Sequence, residues 1–146
     1  QNTYTFTGVM SQRKMFTMVA QELIKAGENE KAVGMLDMCR KVVPEENFPL
    51  DLTIYGLNNE MDVVGMVEAY YLAGAPSKAS QLGEALLSSV MESAAFFLNH
   101  YEEGNRYFES CYNILAYLAA VADDSGDHEL ASSVRDRFNR MLDAEE

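Results

Sequence analysis

The sequence predicts an all-α superhelix of about six helices in three irregular hairpins. Three observations carry that reading. Between Phe16 and Pro44, two amphipathic patterns flank Gly27, with apolar residues at three- and four-residue spacing on both sides. Gly74 and Gly126 punctuate two later pairs of apolar patterns in the same way. The apolar residues of the remaining long patterns recur at helical spacing, so no sheet is expected, and only Thr3-Tyr4-Thr5-Phe6-Thr7, which alternates hydroxyl and aromatic residues, reads as extended.

Taken in order, residues 1–10 are expected to be an extended segment or linker stub, and residues 11–146 a helical-repeat domain. Ser11 is placed to cap a first helix running to about Ala26, with Met15, Phe16, Val19, Leu23 and Ile24 as its stripe. Gly27 supplies the positive φ that ends it. A second helix, about Asn29 to Val43, carries Ala32, Leu36, Cys39 and Val43 on one face, and Pro44 ends it. The stretch from Pro44 to Asn59, with Pro49, Gly56 and Asn58-Asn59, reads as an irregular connection lying across the core. Asn59 would then cap a third helix, about Glu60 to Ala73.

Gly74-Ala75-Pro76 joins a helix stop to a helix start. The fourth helix is expected from Pro76 to about Leu98. A fifth, about Glu103 to Asp124, shows two adjacent apolar rows and so is buried on more than one side. Ser125-Gly126-Asp127 is a stop followed by a cap. The sixth helix, about His128 to Leu142, presents Leu130, Val134, Phe138 and Met141, and the acidic tail from Asp143 should fray.

The chain of 146 residues is long enough for one domain with a sizeable core. Its 11 Lys and Arg face 23 Asp and Glu, a net charge of −12. That balance argues against nucleic acid and anionic membrane surfaces as partners. The longest purely apolar run, Ile114 to Ala122, is far short of the roughly 20 residues of a membrane span. Gln1 rather than Met opens the chain, from which an excised or processed part of something longer is expected. Cys39 and Cys111 form no CxxC pair and read as small hydrophobes on apolar helix faces, with a disulfide left open.

Residues that could carry chemistry are few. His100 and His128 stand at helix boundaries without metal-ligand spacing, so neither a metal nor a cofactor is expected. Glu102-Glu103 and Asp123-Asp124 are paired carboxylates of a kind that acid–base enzymes use when burial splits their pKa values. At helix ends they read as solvated. Ser88-Ser89 and Ser132-Ser133 lack a nucleophile elbow, and no phosphate loop is present. No catalytic residue is assigned.

The first hairpin resembles a tetratricopeptide unit. Phe16, Ala20, Leu23, Gly27, Ala32, Leu36, Cys39 and Pro44 fall at that motif's signature positions, with Cys39 for the usual alanine. The second hairpin keeps Tyr70, Gly74 and Ala79, and the third keeps Leu118, Ala119, Gly126 and Ala131. The hairpin glycines are 47 and 52 residues apart, against a regular period of 34, so the copies are irregular. Docked as in that family, Lys14, Thr17, Gln21 and Lys25 would face a concave groove suited to a protein or peptide. The carboxylate-clamp variety has a lysine and an asparagine where Thr17 and Gln21 stand, so recognition of C-terminal carboxylates is not carried over.

A longer pattern is similar to one particular domain. It comprises Leu23 to Gly27, Ala32 through Leu36 to Cys39, Pro44 with Pro49-Leu50, Glu68 to Gly74, Phe96 to Leu98 and the helix pair Tyr112–Ala131. It resembles the C-terminal tetratricopeptide-like domain of a bacterial multi-pass membrane family of unknown function related to protein O-mannosyltransferases. The resemblance implies a non-catalytic, extracytoplasmic (periplasmic) interaction domain. It would reach the membrane only through an N-terminal glycosyltransferase-like portion that is not in this sequence. A free-standing tetratricopeptide-like adaptor is the alternative. An enzyme using the carboxylates near the fifth helix is the third reading, and it requires a deep pocket holding at least two of them.

Overall fold

The structure, a computed structural model, describes residues 2–42, 54–100 and 105–144, with side chains over 12–42, 61–99 and 107–144. Among these the fold is all-α, as the sequence predicts. Six helices follow one another: α1 (Asn2–Lys25), α2 (Asn29–Val42), α3 (Ile54–Leu72), α4 (Pro76–His100), α5 (Asn105–Asp124) and α6 (His128–Ala144). The chain forms two compact units, Gln1–Ala79 and Ser80–Glu146, with the boundary inside the first turns of α4.

The turns joining α1 to α2, α3 to α4 and α5 to α6 share one geometry. Gly27, Gly74 and Gly126 have φ of 78°, 79° and 84°, where a side chain would strain the backbone. The glycine N–H donates to the carbonyl of Ile24, Tyr71 or Asp123, at 3.0 Å in each turn. The next N–H reaches one residue further back, from Glu28 to Leu23, Ala75 to Tyr70 and Asp127 to Ala122, at 2.8–2.9 Å. This paired closure satisfies carbonyls that a helix end leaves without partners. The same residues then start the next helix, their carbonyls accepting from Ala32, Ala79 and Ala131. All three alanines are fully buried. Asp127 adds a side-chain cap, its Oδ1 accepting from Leu130 N at 3.1 Å.

In the first unit, α1 packs on both α2 and α3. Ala20, Leu36, Cys39, Val63, Val64, Val67 and Tyr70 are fully buried there. In the second unit, α5 packs on α6, and α4 comes close to both through Gly83. A Cβ at Gly83 would stand 2.7 Å from Leu130 Cδ2 and 3.6 Å from Leu118 Cδ1. Phe97 of α4 stacks on Tyr107 of α5 with centroids 5.1 Å apart. Both cysteines are free and buried.

Several boundaries differ from the expected ones. Residues 2–10 are helical rather than extended, so Ser11 is interior to α1. Threonine disfavours a helix by only tenths of a kcal/mol, roughly 0.7 at most, and an already nucleated helix gains a hydrogen bond for each residue added. α3 begins at Ile54, so Asn59 lies within it and does not cap it, and Gly56 is helical. α4 runs on to His100 and α6 to Ala144, past the expected start of fraying at Asp143. The expected features at Val43 to Thr53, Glu102-Glu103 and Glu145-Glu146 lie outside the described residues.

Candidate functional site

The four residues expected to line a groove do not form one open surface. Lys14 is exposed and Gln21 half-buried. Lys25 is exposed and paired with Glu22 at 3.2 Å, one helical turn back. Thr17 is only 7% exposed. Its hydroxyl donates to Arg13 O at 2.9 Å, and its methyl lies 3.9 Å from where a Cβ of Gly65 would stand, between α1 and α3. Beside it Arg13 is buried. Asp62 of α3 is half-buried, and burial raises its pKa against the opposing charges of Lys14 and Arg13.

A polar cluster that the sequence reading did not anticipate ties α2 to α3 and to the first turn of α4. Tyr70 Oη donates to Asp37 Oδ1 at 2.7 Å, and Lys78 Nζ donates to Asp37 Oδ2 at 2.5 Å. Burial alone would raise the Asp37 pKa. The bonds from Lys78 and Tyr70, with the charges of Lys78 and Arg40, outweigh it and hold the carboxyl below its usual range. Burial and the bond to Asp37 push the Tyr70 phenol well above its ordinary value. Tyr70 thus keeps its proton and Asp37 its charge at neutral pH. The cluster links α2, α3 and the first turn of α4 through one carboxylate.

The second unit carries a groove of about 350 Å³ between α5 and α6. Leu115, Ala119 and Val134 are its buried floor. Tyr112, half exposed, and Phe138 form a wall, their rings 5.3 Å apart. Ala116 and Ala120 keep the α5 side low, and Arg135 and Asn139 supply polar groups on the α6 side. No carboxylate lines it. Asp123 stands behind Arg135: its Oδ2 accepts from Arg135 Nη2 at 2.5 Å, and its Oδ1 lies 2.9 Å from His128 Nδ1. The His128 ring and the Arg135 guanidinium hold the Asp123 carboxyl below its usual range. His128 and Asp123, read as separate boundary residues, are thereby brought together with Arg135. The sequence signal was the heavily apolar α5, with Ala116 and Ala120 one turn apart opposite Phe138.

Exposed apolar side chains also gather on the first hairpin. Met15, Met18 and Val19 of α1 are 63%, 56% and 45% exposed, and Met38 and Val42 of α2 are more than half exposed. Among the described residues there is no group of three or more His, Cys, Asp or Glu placed to hold a metal ion. No described helix is long and apolar enough to cross a membrane. Comparison of the chain with protein-family models, with curated proteins and with solved structures finds no match.

Proposed function

We propose that this chain is a non-catalytic helical-repeat domain that binds a protein segment in the groove between α5 and α6. The observation behind this reading is the groove's make-up: an apolar floor, an aromatic wall and a polar rim on one side. Binding sites for side chains of a partner have this composition, with few polar groups placed to fix orientation. A groove of about 350 Å³ has room for an aromatic or leucine-sized side chain, which would lie over Ala116 beside Tyr112. A carbonyl or carboxylate of the same segment meets Arg135 and Asn139. Guanidinium has five N–H donors, more than the single bond to Asp123 Oδ2 consumes.

The test is selection of peptides from a displayed library on the full chain, with Ala116→Phe as the filled-groove control. Enriched peptides should share an apolar anchor next to an acceptor group and lose binding to the filled variant. Peptides that bind both forms equally would overturn the reading.

The resemblance of Leu23 to Gly27, Pro49-Leu50 and Glu68 to Gly74 supports a setting for this activity. In it the domain is the extracytoplasmic part of a membrane glycosyltransferase-like protein and holds an acceptor protein near the membrane-embedded active site. The gene upstream of Gln1 tests that setting. Multiple hydrophobic spans are expected there, and a gene without them would remove the membrane assignment and leave the free-standing adaptor.

A further inference from the structure

The outer side of α1 has a self-complementary pattern. Lys14, Met18 and Glu22 follow at four-residue spacing and so form one row along the helix. All three are exposed, Met18 by 56% and the Glu22 side chain by 71%. Met15 and Val19 stand beside the row, each a large apolar side chain left substantially in water. Along its length the row reads cation, apolar, anion.

We infer that α1 is the contact between two copies of this chain, antiparallel about a two-fold axis that passes at Met18. That arrangement places Lys14 of each copy opposite Glu22 of the other, and Met18 opposite itself. A parallel arrangement would instead set Lys14 on Lys14 and Glu22 on Glu22, so the charge order selects the antiparallel one. Met15 and Val19 widen the apolar part, and methionine's flexible thioether adapts to such a contact. The Lys25–Glu22 pair is fully at the surface and exchanges at little cost for the new partner. One helix face per copy is less than the roughly 1,200 Å² of a stable complex, so the dimer forms on concentration and parts on dilution.

Sedimentation of the full chain across a concentration series tests this. The mean mass should rise from the 16.3 kDa of one chain towards twice that value. Lys14→Glu and Glu22→Lys each place like charges together and should weaken association by about tenfold, and the double exchange should restore it. A mass that stays at one chain throughout overturns the inference, as does association indifferent to these exchanges.

Cross-linking provides a readout independent of affinity. In oxidising solution Met18→Cys should link to itself, whereas Lys14→Cys should link only when mixed with Glu22→Cys. Self-linking of Lys14→Cys as readily as Met18→Cys would overturn the antiparallel register. Circular dichroism on each variant confirms that it is folded before it is scored.

Discussion

The two units close their helix pairs in the same way and hold their helices together differently. In the first, polar atoms are built into the packing. Arg13 and Thr17 are buried between helices, and Asp37 gathers Tyr70 and Lys78 from two further elements. In the second, the buried contacts are mainly methyl groups and rings, with Gly83 letting Leu130 and Leu118 come close, and the pairs of Asp123 with Arg135 and His128 lie at the surface. A packing of methyls is sensitive to volume, and a packing with buried charge is sensitive to hydrogen bonding and pH.

The contrast is tested most strongly at Gly83. Gly83→Val should destabilise by about 3 kcal/mol, since a branched side chain must displace the buried Leu130. Combined with Leu130→Ala, the loss should be smaller than the sum of the single losses, by more than about 0.5 kcal/mol in chemical denaturation. Strict additivity would mean that the two do not share the space.

Next in size is Tyr70→Phe, which removes the phenol from Asp37 while keeping the ring. A loss of about 1–2 kcal/mol is expected by the same measurement. No loss would mean that the bond from Tyr70 to Asp37 does not hold the first unit together.

Gly34→Ala should act in the opposite sense to Gly83→Val. Gly34 is an exposed interior residue of α2 with nothing within 4 Å of a Cβ, so alanine should stabilise by about 1 kcal/mol. A rise in the thermal midpoint checks it.

The finest distinction is within the first unit, between two aspartates. Asp37 has its folded pKa lowered from 3.8, so it contributes stability above that pH and loses it as pH falls through the folded value. Asp62 has its folded pKa raised from 3.8, so the fold loses stability as pH rises from 3.8 through the raised value. Carboxyl carbon titration by NMR should show Asp37 ionising before Asp62 as pH increases. The reverse order would remove the role given to Lys78.

What the sequence made legible was local. Gly27, Gly74 and Gly126 could be read as turns because a positive φ is a demand on a single residue, and Asp127 as a cap because its bond spans three positions. The start of α3 was not legible. Gly56 and Asn58-Asn59 have poor helix propensity, and their individual costs, roughly 1 kcal/mol or less, are overridden by the rest of the helix. The resemblance to a tetratricopeptide unit turns Thr17 toward a groove, whereas its burial in this chain depends on where α3 lies. Asp37, Tyr70 and Lys78 are 33 and 41 positions apart in their bonded pairs, and no periodicity within one helix brings them together. The groove was half legible: the apolar rows of α5 were apparent, while the opening beside Ala116 and Ala120 required α6 in place.

The shared turn also fixes where the chain tolerates a change of length. The residue after each glycine both ends one helix and begins the next, so the turn has no slack. α1 has 24 residues and α2 has 14, and that inequality is accommodated at the ends remote from Gly27. A residue inserted between Gly74 and Pro76 has no such outlet. It would rotate the first turn of α4 by about 100° about the helix axis and carry Lys78 away from Asp37. The turns therefore act as the phase reference of the molecule, and each helix is free to grow only away from them.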